Sequence, residues 1–137
     1  MAKRQKSWVF SPQPQSKLKV PENIKTEVEQ KALALVDGTL KPNHVKPPPA
    51  EESWNYIIDI YTKWYRSYFY FCAKYRVPGP NAISPFFEAK FARMEYVEDN
   101  LFNLAYMRHT EEWFEIYAGL SVDQCIEAVK DNPAFYP

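Results

Sequence analysis

From Phe87 to Tyr117 apolar and polar side chains alternate with a period of two, broken by two short polar clusters. That pattern predicts three antiparallel strands joined by two tight turns. Register follows from burial. With Glu98-Asp99-Asn100 as a three-residue loop, Tyr96 faces Phe102, Met94 faces Leu104 and Ala92 faces Tyr106. A two-residue Asp99-Asn100 turn would instead set Glu95 against Leu104 and Tyr96 against Asn103. Because a one-residue slip carries a strand's whole apolar set to the other face, burial selects the three-residue loop, with Asn100 in the left-handed position. The same reasoning makes His109-Thr110-Glu111 the second turn and sets Tyr106 opposite Phe114 and Leu104 opposite Ile116. Ala92, Met94, Tyr96, Phe102, Leu104, Tyr106, Phe114 and Ile116 then form the core face.

The reverse face is mixed, with rows Phe91/Met107/Trp113, Arg93/Ala105/Glu115 and Glu95/Asn103/Tyr117. The small Ala105 leaves a gap across which Arg93 is expected to reach Glu115, as cross-strand neighbours do.

Upstream, Ile24, Val28, Ala32, Leu35 and Val36 recur at helical spacing, predicting a helix from Pro21 to about Val36 that stops at Asp37-Gly38, with Glu27 and Lys31 placed for an i,i+4 pair. Leu40 to Ser53 holds four prolines and no period and is read as a linker. Trp54 to Arg76 predicts two more strands, about 55 to 63 and 68 to 76, turning around Trp64 to Ser67, with Tyr56, Ile58 and Ile60 on one side and Ile57, Asp59 and Tyr61 on the other. Residues 77 to 85 contain three prolines and form an irregular loop. Ser121 opens a last helix as N-cap, Gln124 completes a capping box, and Val122, Cys125, Ile126 and Val129 supply its apolar stripe before Asn132-Pro133 ends it. The expected fold is α+β: an antiparallel meander sheet of about five strands with an N-terminal and a C-terminal helix packed on one face. Residues 1 to 20 are expected to be a flexible basic arm, with Trp8, Val9 and Phe10 as a short anchor, and residues 21 to 137 a single domain.

Composition adds two points. Aromatics make up 17% of the 137 residues, so rings must build a core that aliphatics would otherwise supply. The 17 basic and 17 acidic side chains cancel overall, yet residues 1 to 50 carry nine Lys/Arg against four Asp/Glu and residues 51 to 137 eight against thirteen. A basic arm seeking an anionic partner, or lying on its own acidic domain, accounts for that asymmetry. No window approaches 18 apolar residues, so no membrane span is expected. Cys72 and Cys125 lack CxxC spacing, no signal peptide precedes them, and both read as buried thiols in a reduced, cytoplasmic setting.

Catalytic motifs are scarce. Asp59 with Glu88-Ala89-Lys90 matches on paper the acidic residue plus E-x-K of metal-dependent nucleases, in which two carboxylates hold the ion and a lysine steadies water. Those enzymes follow the E-x-K strand with a helix, whereas a strand is expected here. His44 and His109 stand far apart, no G-x-S-x-G elbow is present, and Gly38, Gly79 and Gly119 are too isolated for a phosphate loop. Neither a metal nor a cofactor is therefore expected.

Phe87-Glu88, Ala92-Arg93, Tyr96, Phe102-x-Leu104-x-Tyr106, Trp113-x-x-x-Tyr117 and Asp131-x-Pro133-x-Phe135 together resemble a bacterial family known only as a domain of unknown function, family number 3024. The likeness covers roughly residues 24 to 135, is strongest from Phe87 onward, and departs in the proline-rich loop before Phe87. It implies a bacterial cytoplasmic domain of helix, meander, helix order and carries no activity or site residues.

The functional expectation is a non-enzymatic binding or protein-interaction module. Its reverse sheet face, Phe91, Arg93, Met107, Trp113, Glu115 and Tyr117, would meet another protein or a second copy of the chain. The alternative is a nucleic-acid binder using Lys3, Arg4, Lys6 and Trp8 of the arm with Lys63 and Arg66 beside Tyr65 and Tyr68. A metal-dependent hydrolase is the second alternative.

Overall fold

The computed structural model describes residues 19–49 and 54–137. The anchor expected at Trp8, Val9 and Phe10 lies outside the described residues. In chain order the elements are α1 (Glu22–Leu35), a π-helical turn (Val36–Leu40), α2 (Lys41–His44), β1 (Tyr56–Tyr65), β2 (Tyr68–Arg76), β3 (Phe86–Glu98), β4 (Leu101–Met107), β5 (Trp113–Leu120), α3 (Val122–Asp131) and a 3-10 turn (Pro133–Phe135). The strands form one antiparallel sheet in the order β1-β2-β3-β4-β5. The expected α+β meander is thus observed.

Both long helices cover one side of the sheet. Ile24, Val28, Ala32 and Leu35 of α1 and Val122, Cys125 and Val129 of α3 join Phe69, Phe71, Met94, Phe102 and Leu104 of the strands in one core. Lys31 ties the helices together, reaching Glu27 at 2.9 Å within α1 and Asp123 of α3 at 2.6 Å. The Ser121 capping box forms in full: the Ser121 hydroxyl accepts from the Gln124 N–H and the Gln124 side chain accepts from the Ser121 N–H. Phe135, expected to lie beyond the last element, is completely buried, because Asn132 accepts from the Ala134 N–H at 3.0 Å and folds the tail into a turn against Tyr106.

The first helix does not stop at Asp37-Gly38. It widens into a π turn and re-forms as α2, so the expected linker begins only after His44. Pro42 explains the wide turn, since a proline in a regular helix lacks one donor and its ring strikes the carbonyl four residues back.

Five register shifts separate the sheet from strict alternation. At the β3–β4 hairpin the expected pairs Ala92/Tyr106, Met94/Leu104 and Tyr96/Phe102 all form. The loop is nevertheless two residues long: Glu98 pairs with Leu101, Asp99 and Asn100 both take positive φ, and the extra residue is a bulge at Val97. Between β4 and β5, Tyr106 faces Phe114 as expected, but a shift sets Leu104 opposite Tyr117 rather than Ile116. Between β2 and β3, Phe71 faces Ala92 while Cys72 faces Lys90, leaving Phe91 as the extra residue. Between β1 and β2 a shift at Ile58 puts both Ile57 and Ile60 against the core, correcting the expected grouping of Ile57 with Asp59 and Tyr61. The β1–β2 turn is Arg66-Ser67, with Arg66 at φ 56° and the carbonyl of buried Ser67 accepting from the Tyr96 N–H at 2.9 Å.

Candidate functional site

Directly opposed residues in an antiparallel pair point to the same side of the sheet, so the ladder defines the outer face row by row. One row runs Lys63, Tyr70, Arg93, Ala105, Glu115, and a second runs Tyr61, Cys72, Lys90. Of the six residues expected on this face, Arg93, Met107, Trp113 and Glu115 lie there. Phe91 does not: the bulge turns it inward, where it is 6% exposed and packs on Phe71 with centroids 6.2 Å apart. Tyr117 shares the side of Leu104, and its hydroxyl accepts from Asn132 at the end of α3. Strict alternation placed both on the outer face, and one added residue in each strand reversed them.

At the centre of the face sits Arg93. Its guanidinium carbon stands 4.8 Å from the Tyr68 ring centroid and 5.0 Å from that of Trp113. Trp113, on β5, reaches across β4 because Ala105 offers only a methyl group, and it also comes within 5.8 Å of the Tyr70 ring. The expected Arg93–Glu115 ion pair is not made; the tryptophan fills the gap instead. Arg93 Nε is buried without a hydrogen-bond partner. Nearby Glu95 has its carboxyl raised above the usual range, chiefly because burial strips its solvation and because Glu115 adds like charge.

Beside this sandwich lies a second cluster. Glu88 accepts a short hydrogen bond from the Tyr61 hydroxyl, takes Lys63 at 2.9 Å and has Lys90 at 3.4 Å. The Tyr61 bond first, and Lys63 next, hold the Glu88 carboxyl down at about 2, while burial and Glu88 push the Tyr61 hydroxyl up. Cys72 lies completely buried on this side, its thiol pushed by burial up to about 11. It is therefore protonated at neutral pH and a poor nucleophile. Asp59 accepts Lys41 at 3.3 Å at the sheet's edge, so the two carboxylates of the E-x-K pattern are each occupied by lysine. Among the described residues no three His, Cys, Asp or Glu side chains come together to hold a metal ion.

β4 ends at Met107, so residues 86 to 90 of β3 have a strand neighbour on the β2 side only. A groove of about 430 Å³ opens there, lined by Phe87, Glu88, Ala89, Lys90, Met107 and Glu111.

The alternative set divides likewise. Lys63 is held by Glu88, Arg66 lies 5.2 Å over the Tyr65 ring, and Lys3, Arg4, Lys6 and Trp8 fall outside the described residues. Tyr61 and Tyr70 were not singled out as site residues from the sequence, and Lys90 only as the lysine of the E-x-K pattern; the β2–β3 register that brings Lys90 and Glu88 beside them depends on the bulge at Phe91, which leaves no periodic trace.

A family model described as Domain of unknown function (DUF3024) matches residues 20–137. The chain belongs to this family. The match takes in every described strand and helix of the DUF3024 domain and leaves out residues 1–19. No curated protein and no solved structure matches the chain. No helix among the described residues is long and apolar enough to cross a membrane.

Proposed function

We propose that this DUF3024 domain is a non-enzymatic binding module whose working surface is the outer sheet face, centred on Tyr68, Tyr70, Arg93 and Trp113 and bordered by Met107 and Glu115. The observation that carries this reading is the guanidinium of Arg93, held between two rings with no carboxylate within 4 Å among the described residues and with its Nε shut off from solvent and without a hydrogen-bond partner there. Burying an unpaired polar atom costs roughly 1–3 kcal/mol. The core lies on the other side of the sheet and draws nothing from this arrangement. A ligand that accepts hydrogen bonds from the rest of the guanidinium gives it a purpose. Arg, Trp and Tyr are also the side chains that carry most of the energy in recognition surfaces.

The test is an amide-shift map of the isotope-labelled full chain against a peptide library and a mixed-sequence oligonucleotide pool. Shifts should concentrate at Tyr68, Tyr70, Arg93 and Trp113 and vanish in Trp113→Ala. Shifts confined to α1 and α3, or unchanged in a folded Trp113→Ala protein, would remove the reading.

A further inference from the structure

Resting on that reading, we infer that the outer face takes a single-stranded nucleic acid, with cations on its phosphates and rings beneath its bases. The first argument is charge. The chain is neutral, with 17 basic and 17 acidic side chains. The outer face, however, gathers Lys63, Lys74, Arg76, Lys90 and Arg93, with Arg66 over Tyr65 at its edge, against Asp59, Glu88, Glu95 and Glu115. A polyanion approaching this face therefore meets a small net positive charge.

The second argument is how those charges are held. Glu88 pairs with both Lys63 and Lys90. The other four have no carboxylate within 4 Å among the described residues and rest on rings instead. Arg66 lies over Tyr65 at 5.2 Å, Lys74 and Arg76 over Phe86 at 4.7 and 5.5 Å, and Arg93 between Tyr68 and Trp113. Arg76 is further fixed by the carbonyls of Val77 and Pro85. They form a row of ring-borne cations along β2 and β3, from the Arg66 turn to the far end of β2, with Glu95 acting on Arg93 through space and Lys74 lying between Asp59 and Glu88 in the ladder. Eight residue steps of strand span about 26 Å, long enough for the roughly four nucleotides of the smaller single-strand sites.

The third argument is the rings. Tyr65 is 56% exposed and Phe86 40% exposed, and Tyr68, Tyr70 and Trp113 are half-buried between them. Ring faces stack on unpaired bases in any sequence, whereas a duplex hides its base faces within its own stack. A protein partner would also meet Tyr and Trp favourably, but it has no regular series of anions to set against four ring-borne cations in line. That favours a phosphate backbone.

The experiment is fluorescence anisotropy of the full chain with labelled dT20, rU20 and a 20-base-pair duplex between 20 and 200 mM NaCl. The single strands should bind in the micromolar range at low salt and more tightly than the duplex. Each phosphate neutralised contributes about −0.7 to the slope of log K against log salt, so four give about −3. Trp113→Ala should weaken binding about tenfold at every salt concentration by loss of stacking. Arg93→Gln should make the slope shallower by about 0.7. Circular dichroism of both variants checks that the fold is kept. No binding at 20 mM NaCl overturns the inference. So does binding that survives both substitutions and disappears when Lys3, Arg4 and Lys6 are changed to Gln, because the arm would then be the binder. If oligonucleotides fail while peptides still shift the Arg93 and Trp113 amides, the face binds protein: the nucleic-acid inference falls and the binding-module reading stands.

Discussion

Trp113 of β5 and Arg93 of β3 meet above β4, the guanidinium carbon 5.0 Å from the ring centroid, because the residue between them, Ala105, ends at its Cβ. Ala105 is 2% exposed under that contact. Ala105→Leu should therefore destabilise the domain by about 1–3 kcal/mol, the usual result of forcing methylenes into filled space. In a Trp113→Ala background the same leucine should cost much less, because the ring it collides with is gone. Urea unfolding of the four proteins measures the coupling, and an equal cost in both backgrounds would refute the packing described.

Core burial divides two residues that alternation treats alike. Leu104 is fully buried and Phe114 is 44% exposed, although both belong to the predicted core face. Leu104→Ala should cost about 2–5 kcal/mol. Phe114→Ala should cost clearly less, since an edge ring held by Tyr106 and Arg108 leaves no closed cavity behind. Thermal melting ranks the two, and the reverse order would contradict the burial.

Acid should loosen the outer face first. The folded Glu88 carboxyl titrates near 2 against an ordinary value of 4.5. Its contribution to stability is therefore present above about pH 4.5 and is lost as pH falls from there through 2. Because Glu88 lies at the surface, the amount at stake is about 1 kcal/mol or less rather than the full shift. Glu88→Gln should flatten part of the melting-temperature decline between pH 5 and 2 and leave the protein near its normal stability at pH 7. An unchanged decline in the variant would show that Tyr61 and Lys63 do not hold the carboxylate in solution.

The cap of α3 offers a clean single-residue measurement. Ser121→Ala removes the hydroxyl that accepts from the Gln124 N–H at 3.2 Å and should cost about 1 kcal/mol in urea unfolding. Ser121→Asp should recover most of it.

How much of this was legible follows from what leaves a trace in sequence. The Met94/Leu104 register was readable because any slip would bury Glu95, and the Ser121 box because capping is written in four adjacent residues. Bulges are written nowhere. Phe91 and Tyr117 were misplaced because alternation cannot count an added residue, and the continuation to His44 was hidden because Gly38 and Pro42 both resemble an ending. The Arg93 sandwich needed the β2–β3 register, which the Phe91 shift conceals, so Tyr68 and Tyr70 gave no sign of their neighbours.

The added residue at Phe91 also governs which misfolded sheets the chain can form. It keeps Glu88 and Lys90 on the same side as Arg93. Were β3 to zip along β2 without the interruption, residues 86 to 90 would turn over, moving Glu88 and Lys90 to the side that Phe87 and Ala89 occupy. The irregularity thus acts as a frame marker: a strand paired without it would part Glu88 from Tyr61 and Lys63 and lose that whole cluster.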